Sequence, residues 1–245
     1  MACTVTLLAH TPEPDALVAA AARICYRDVT AADLLTGEEE KLSEGLIDHL
    51  WRSGHLSTFE HASFTFAVDG LSRVASHQLV RHRVASFSQQ SQRYVRMDGG
   101  EEVVLPPSVA AIPEAADIFK LQAQSAYVTY QTLIAMGVPA EDARFILPHG
   151  WETRLVLTMN ARELHHFFHL RLCRRAQWEI RELARLMLVE CRRAAPVLFR
   201  KAGPSCIFGP AAGTGPSSCG EARPCGRPYK DMEELLGGEH AQMAQ

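Results

Sequence analysis

The stretch WETRLVLTMNARELHHFFHLRLCRRAQWEI, residues 151–180, decides the fold class. Its beginning, up to Met159, is rich in Thr, Leu and Val, which predicts a β-strand. Asn160 then suits a helix N-cap, with Glu163 three residues later as its capping-box partner, and a long helical region is expected from there to about Ala195. A strand that passes directly into a capped helix predicts a mixed α+β fold.

The rest of the chain alternates short β-like runs with helical patterns. The segment FEHASFTFAVDG, residues 59–70, alternates with a period of two and predicts a strand, as does TVTLLAHT, residues 4–11. Helical patterns cover residues 16–25, 36–53, 71–80, 118–136 and 141–147. We expect one domain over residues 1–202, followed by a Gly/Pro/Cys-rich tail over 203–245.

The composition is that of an ordinary globular protein and disfavours several classes. The 245 residues are 47% hydrophobic and 22% charged, enough for one sizeable core. No run approaches the roughly 18 apolar residues of a membrane span, and the start, MACTVTLLAHTPEPD, lacks the basic region of a secretory signal. We therefore expect a cytoplasmic protein without a membrane partner. The net charge of −3 disfavours a nucleic-acid partner.

Arginine is strongly preferred over lysine in this chain. Only four of the 25 basic residues are lysines. GC-rich codon usage alone would produce this bias. The functional alternative is that some arginines bind phosphate or carboxylate groups, for which the guanidinium fork is better suited than an ammonium group. Composition leaves both interpretations open.

The segment QLVRHRVASFSQQSQRY, residues 78–94, combines arginines, serines and glutamines with few apolar residues. Arginine and serine side chains donate hydrogen bonds to phosphate groups, and glutamine amides pair with the edge of a pyrimidine or flavin ring. A solvated polar loop is the alternative. The segment contains neither a Walker lysine nor GxGxxG, so neither common nucleotide-binding loop explains it.

Four ordered motifs resemble the flavin-dependent thymidylate synthase family. The first is Arg81-His82-Arg83, followed after seven residues by Ser91 and then by Arg93, which matches the family's RHR-x7-S signature. The other three resemble the family's histidine-containing segment, its ARxxLP element and its NAR…LR…AQWEI region. Here they are Gly54-His55-x3-Phe59-Glu60-His61, Ala143-Arg144-x2-Leu147-Pro148, and Asn160-Ala161-Arg162-Glu163-Leu164 with Leu170-Arg171 and Arg175-Ala176-Gln177-Trp178-Glu179-Ile180. On these residues the chain is identified as a member of the family.

The resemblance implies a fold, an activity and an assembly. The fold would be an antiparallel sheet flanked by helices, as in thymidylate synthase-complementing proteins. The enzyme would convert dUMP to dTMP, with methylenetetrahydrofolate as one-carbon donor and FAD, reduced by NADPH, as hydride source. Active sites would be shared between the chains of a homotetramer. Two alternatives are a flavoenzyme acting on another pyrimidine nucleotide and a nucleic-acid-binding module, which the acidic net charge disfavours.

The same resemblance implies roles for individual residues. FAD would contact Ser57, Arg81, His82, Arg83, Gln89, Asn160, Arg162 and His166. The nucleotide dUMP would contact Gln78, Arg81, Gln89, Gln90, Ser91, Arg93, Arg144 and Arg171. Two positions depart from the family pattern, because Gln89 stands where many members have glutamate and His166 stands where asparagine is frequent.

The chemistry of the reaction indicates why an arginine is expected at the reacting centre. Methylation requires carbon 5 of uracil to become nucleophilic, which cysteine-dependent thymidylate synthases achieve by thiolate attack on carbon 6. None of the seven cysteines here lies in a convincing nucleophile setting with a base motif. A fixed guanidinium can instead favour an enolate-like ring. The resemblance puts Arg171 at that position, as the predicted catalytic residue.

A histidine cluster leaves a metal site as a minor alternative. His165 and His169 are four residues apart on one helix face, a spacing that suits a metal ion. There is no HExxH motif, and helical histidines beside phenylalanines are more often packed or at a cofactor edge. We therefore predict no metal at these histidines.

The cysteines fall into two groups. Cys25, Cys173 and Cys191 have apolar or helical neighbours and are expected to be small buried side chains. The tail cysteines are Cys206, Cys219 and Cys225, for which free thiols, a disulfide or a metal-stapled lobe are all open. A zinc site would need a fourth ligand beside these three, such as His240 or a residue of a partner chain, and the tail contains no standard CxxC pair.

Overall fold

One four-stranded antiparallel sheet, combined with helices, forms the framework. This is a computed structural model, which describes residues 3–28, 30, 33, 44–97, 103–209, 212 and 219–237. The strands are β1 (Thr4–His10), β2 (Ser63–Ser72), β3 (Ala85–Gln89) and β4 (Glu152–Asn160), in the order β1-β2-β4-β3 across the sheet. The predicted α+β class with an antiparallel sheet is confirmed.

Helices precede, connect and follow the strands. In chain order they are α1 (Pro14–Arg23), α2 (Glu44–Arg52), α3 (Arg73–Leu79), α4 (Pro107–Ala110), α5 (Pro113–Ala135), α6 (Ala140–Ala143), α7 (Ala161–Arg171), α8 (Trp178–Ala194), α9 (Ser205–Phe208) and α10 (Met232–Gly237). Two 3-10 helices cover Leu56–His61 and Arg144–Ile146. None of the helices that the structure describes is long and apolar enough to cross a membrane.

The chain forms two compact units whose segments are interleaved in sequence. The first unit takes residues 1–4, 68–81 and 87–156, and the second takes 5–67, 82–86 and 157–245. All four strands begin in one unit and end in the other. The expected boundary at residue 202 stays a prediction.

The core of the second unit is built on the aromatic face of β2. Alternate side chains of that strand point inward, and Phe64 and Phe66 are fully buried. The ring of Phe64 meets Phe199 edge-on, with 5.1 Å between centroids. Burying one such side chain contributes roughly 1.5–3 kcal/mol. The backbone N–H of Ala161 donates to the carbonyl of Ala62 at 2.8 Å, which ties the start of α7 to this core.

The first unit has its own aromatic core around helix α5. Trp151, which is fully buried, stacks on Tyr127 with 5.7 Å between ring centroids. Tyr130 packs in the same cluster, and its hydroxyl accepts a hydrogen bond from the N–H of Met97 at 3.3 Å. Ala143 at the end of α6 also belongs to the cluster. This packing fixes the turn that follows, in which Arg144 lies.

The structure changes the predicted strands in two places. Residues 59–61 do not belong to β2, because Leu56–His61 forms a 3-10 helix and the strand begins at Ser63. The polar segment 78–94, for which a solvated loop was one alternative, contains the strand β3. Only backbone pairing reveals this strand, and at its end Gln90 N donates to the carbonyl of Arg154 at 2.9 Å.

The long helical region predicted from Asn160 to about Ala195 is two helices. It breaks between α7 and α8, where Gln177 acts as a second N-cap and accepts from the N–H groups of Glu179 and Ile180, both at 3.0 Å. The predicted helix 36–53 is confirmed for Glu44–Arg52, and its beginning lies outside the described residues.

Candidate active site

Three polar side chains of the second unit, Glu163, His82 and Arg171, form a hydrogen-bonded row. The Asn160 side chain accepts from the N–H of Glu163 at 2.9 Å and starts α7, as predicted. This places the Glu163 carboxylate 3.0 Å from Nδ1 of His82. On the other side of the same ring, Arg171 Nε lies 3.0 Å from Nε2 of His82. The residues come from two chain segments and meet only in the folded protein.

The protonation of His82 follows from its two partners. A guanidinium is always charged and only donates hydrogen bonds, so Nε2 of His82 must accept the bond from Arg171. The proton of the neutral ring then lies on Nδ1, which donates it to Glu163. Burial lowers the pKa of His82, the hydrogen bond to Glu163 raises it, and the charge of Arg171 lowers it again, with a net result below the ordinary value. A neutral His82 at physiological pH is what this geometry requires.

A cavity of about 620 Å³ opens beside this row. Three of the predicted FAD residues line it, namely Asn160, Arg162 and His166. Arg162 Nη1 donates to Glu60 Oε1 at 2.5 Å. Side chains that were not in the predicted set also line it and include Trp51, Leu56 and Lys201. The cavity therefore combines guanidinium, ammonium and amide donors with an apolar wall.

The other predicted FAD residues of the second unit do not line this cavity. Ser57 is exposed in the 3-10 helix Leu56–His61, and Arg83 is exposed just before β3. His82 is buried, and its ring meets Phe167 edge-on with 5.0 Å between centroids. Their roles stay predictions.

The first unit brings two of the predicted nucleotide-binding arginines together at Glu141. Arg93 Nε and Nη2 both lie 2.8 Å from the Glu141 carboxylate, while Arg144 Nε donates to the Glu141 carbonyl at 3.0 Å. Arg73 is a third arginine of this unit, and burial first and then the charge of Arg144 lower its pKa. We call Arg73, Arg93 and Arg144 the arginine cluster. Sequence reasoning missed Arg73, which lies in none of the four motifs.

The other predicted residues of the first unit lie between Arg73 and Arg93 in the sequence. Ser91 Oγ accepts from the N–H of Arg93 at 3.2 Å, and Gln89 Nε2 donates to Thr153 Oγ1 at 3.1 Å. Gln78 is half-buried in α3, and Arg81 is exposed beyond it.

The predicted site residues are divided between the two units. Gln78, Arg81, Gln89, Gln90, Ser91, Arg93 and Arg144 belong to the first, and Ser57, His82, Arg83, Asn160, Arg162, His166 and Arg171 belong to the second.

His165 has the packed environment that the sequence favoured over a metal site. Its Nε2 donates to the carbonyl of Leu198 at 2.9 Å, and its ring stacks on Phe199 and meets Phe59 edge-on, each at 5.4 Å between centroids. Burial lowers the pKa of His165 to about 4. Within the described part of the chain, no three His, Cys, Asp or Glu side chains are grouped as ligands of one metal ion.

The cysteine predictions are partly wrong. Cys191 is buried, as expected, and burial raises its pKa well above the ordinary value, which makes it a poor nucleophile. Cys25 is exposed because it follows the end of α1. Cys173 is half-buried and lines a second cavity of about 290 Å³, together with Arg171 and the three tail cysteines.

Known proteins resemble this chain over most of its length. A family model described as thymidylate synthase complementing protein matches residues 6–197. The flavin-dependent thymidylate synthase of Geobacter sulfurreducens is 50% identical, with 93% of this chain and 98% of that protein covered. That of Clostridium tetani is 41% identical over 91% of this chain and 95% of its own. Among solved structures, the UMP/dUMP methylase PolB of Streptomyces cacaoi, bound with 5-Br dUMP, gives a TM-score of 0.68 at 28% identity, over 81% and 93% of the two chains.

The fold and these matches define an enzyme of the methyltransferase class. The chain belongs to the thymidylate synthase complementing protein family, that of the flavin-dependent thymidylate synthases. The family resemblance drawn from the four motifs is thereby confirmed. The roles of individual residues stay predictions.

Proposed function

We propose that the chain is an FAD-dependent thymidylate synthase that converts dUMP to dTMP, with methylenetetrahydrofolate as one-carbon donor and NADPH as reductant. The observation that most supports this is the row Glu163–His82–Arg171, which holds a guanidinium at the position where the family resemblance expects the catalytic arginine. A structural neighbour that is a UMP/dUMP methylase supports a uracil nucleotide as substrate.

Arg171 acts on the uracil ring through its charge. Its Nε donates to His82, which fixes the plane of the guanidinium before any substrate arrives. Burial lowers the pKa of Arg171, but a guanidinium remains charged at any physiological pH. Donors that are fixed in advance need not reorganise when negative charge develops on the ring oxygen, and one such donor contributes roughly 2.7–4 kcal/mol in other enzymes. Carbon 5 thus becomes nucleophilic without a cysteine adduct.

The cavity of about 620 Å³ has side chains that fit FAD. Arg162 and Lys201 offer charged donors for the diphosphate, and Asn160 offers an amide. Phosphate oxygens would replace the Glu60 carboxylate as acceptors of Arg162. Trp51 provides apolar surface for a ring system. When bound and reduced, the flavin supplies the hydride that completes the methyl group.

The nucleotide phosphate is proposed to bind at the arginine cluster. A phosphate dianion accepts paired hydrogen bonds from guanidinium forks. The fork of Arg93 already holds the Glu141 carboxylate, and Nε of Arg144 donates to the Glu141 carbonyl. Arg73 adds a third positive charge beside Arg144. The homotetramer, the shared active sites and the cytoplasmic location remain part of the proposal on the strength of the family resemblance.

Arg171→Ala tests the proposal. The purified variant should keep its FAD but lose at least roughly 100-fold in kcat for dTMP formation, because a preorganised charge is removed from the reacting centre. Tritium release from carbon-5-labelled dUMP and dUMP-dependent NADPH oxidation measure the two half-reactions. Arg193→Ala is the matched control, because Arg193 is an exposed arginine paired with Glu190 on α8.

Near-normal turnover by Arg171→Ala would remove Arg171 from the mechanism. A wild-type protein that binds no FAD would overturn the assignment to this reaction altogether. UMP assayed beside dUMP distinguishes the proposed substrate from the other pyrimidine nucleotide that the structural neighbour accepts.

A further inference from the structure

Four of the seven cysteines line one cavity in the second unit. They are Cys173, just after α7, and Cys206, Cys219 and Cys225 of the tail. All four are half-buried free thiols. Side chains so far apart in sequence meet here because the tail folds back onto the turn between α7 and α8. Cys173 is therefore a candidate for the fourth ligand that a zinc site in the tail would need.

Two arginines of that turn hold the tail in place. Arg174 Nη2 donates to Glu234 at 2.5 Å, and its guanidinium stacks on the ring of Tyr229 with 4.1 Å to the centroid. Arg175 Nη1 donates to Glu221 at 2.5 Å. These contacts fix the tail on either side of Cys225 against the turn that carries Cys173.

The backbone turns sharply at two of the tail cysteines. The N–H of Arg227 donates to Cys225 Sγ at 3.4 Å, from two residues further along the chain. Cys219 and Cys225 are each followed by a glycine with a positive φ, +72° and +73°. Glycine adopts this conformation without steric cost, so the chain can turn directly after each of the two cysteines.

The cavity that the four cysteines share carries an excess of positive charge. The same cavity is lined by several cations and only one acid. The cations are Arg171, Arg174, Arg175 and Arg227, and the acid is Glu221.

We propose that Cys173, Cys206, Cys219 and Cys225 bind one Zn²⁺ ion in a closed tetrahedral site. Four thiolates are a ligand set that selects zinc, and a site without an open position is structural rather than catalytic. Zinc with four thiolates carries a net charge of about −2, which the arginines of the cavity balance. The ion fastens the tail to the chain segment directly after Arg171.

Binding would draw the sulfurs closer than they lie in the structure. No three of the described His, Cys, Asp and Glu side chains are yet grouped at ligand positions. Ligand thiols close up only when they lose their protons to the ion, so a site of this kind is completed by the metal itself. The glycines that follow Cys219 and Cys225 have open space beside them, since a Cβ at either position would meet no atom within 4 Å. The backbone at these two turns therefore has room for the adjustment.

The zinc content of the full-length protein, purified without chelators, tests the proposal. We expect about one zinc ion per chain by mass spectrometry of the metals. Replacing the ion with Co²⁺ should give the intense visible absorption of a tetrahedral thiolate complex. Each of Cys173→Ser, Cys206→Ser, Cys219→Ser and Cys225→Ser should weaken zinc binding by at least the roughly 10–100-fold that outer-shell changes cause. Cys25→Ser, which changes an exposed thiol elsewhere, should keep the full zinc content.

The FAD content and turnover of the same samples are measured separately from the zinc content. Zinc can be present or absent whether or not the proposed reaction is correct, so the failure of one proposal is distinguishable from the failure of the other. Three results would overturn the zinc site. They are a metal-free wild type that is folded and binds FAD, a wild type whose unreduced mass shows two disulfides among the four cysteines, and serine variants that retain zinc. Iron in place of zinc would overturn the identity of the ion.

Discussion

At the scale of single residues, the candidate site depends on the protonation of one buried imidazole. Burial keeps His82 neutral, and only a neutral ring can accept from Arg171 and donate to Glu163 at once. The Glu163 carboxylate is bound to His82 and offers no donor to a phosphate or to an anionic uracil ring. We therefore regard Glu163 as a positioning residue that acts on Arg171 through His82.

Glu163→Gln should shift the acid limb of the pH–rate profile to lower pH. Protonation of His82 removes the acceptor of Arg171, so activity falls as the pH drops through the pKa of His82. The Glu163 carboxylate raises that pKa, and the neutral amide will not do so. The profile of kcat between pH 5 and 8 measures the shift. Glu163→Ala, which removes the hydrogen bond as well, should lower kcat at every pH, and an unmoved acid limb in Glu163→Gln would contradict the positioning role.

His165 should make the protein less stable in mild acid. The folded-state pKa is about 4, against 6.5 for an unperturbed histidine. Between these values the unfolded chain binds more protons than the folded one, so the free energy of unfolding falls as pH drops through this window, by up to about 3 kcal/mol. Urea unfolding at pH 4.5 and 7.5 measures it.

His165→Gln is the matched variant, because its amide still donates to Leu198 but does not titrate. The difference in stability between the two pH values should be smaller in the variant than in the wild type. Equal differences in the two proteins would show that other groups cause the acid sensitivity.

At the scale of elements, the break between α7 and α8 is decided by a cap. Residues 172–177 contain no proline or glycine that would end a helix, but the Gln177 side chain accepts from two N–H groups of the next helix and starts that helix afresh. Because the helix is interrupted there, Cys173, Arg174 and Arg175 lie in a turn rather than on a helix. The apolar stripe of α8 was predictable, because Ile180, Leu183, Ala184, Met187 and Cys191 are all fully buried.

Gln177→Ala should lower the free energy of unfolding by about 1 kcal/mol, the usual value of a lost N-cap. Denaturant unfolding of the variant and the wild type measures it. Gln177→Ser offers a capping oxygen of the preferred type and should be close to the wild type. A fully stable Gln177→Ala protein would mean that water satisfies the two N–H groups equally well.

At the scale of the whole molecule, the predicted nucleotide and flavin residues divide between two compact units. The arginine cluster belongs to the first unit, whereas Arg171 and the cavity of about 620 Å³ that we propose for FAD belong to the second. A homotetramer with shared sites, as the family resemblance implies, allows one chain to contribute the first set and another chain the second.

Mixed variants test this sharing. Arg93→Ala and Arg171→Ala should each be inactive alone, and some dTMP formation should return after their subunits are exchanged, because some sites then contain both intact arginines. Arg93→Ala mixed with Arg144→Ala is the matched control and should stay inactive, since both residues belong to one cluster. Failure of the first pair after verified exchange would argue for sites within single chains.

The sequence by itself determined the features that depend on near neighbours. The alternation of β2 and the cap of α7 by Asn160 are local, since a strand needs a period of two and a cap needs a polar side chain three residues before an N–H group. The motifs likewise identified the family. Tertiary structure decided what joins distant segments, namely the pairing of β3, the bond between His82 and Glu163 and the cavity of four thiols. Hydrogen bonds and packing between such segments leave no periodic signal in the sequence, because they depend on how the whole chain folds back on itself.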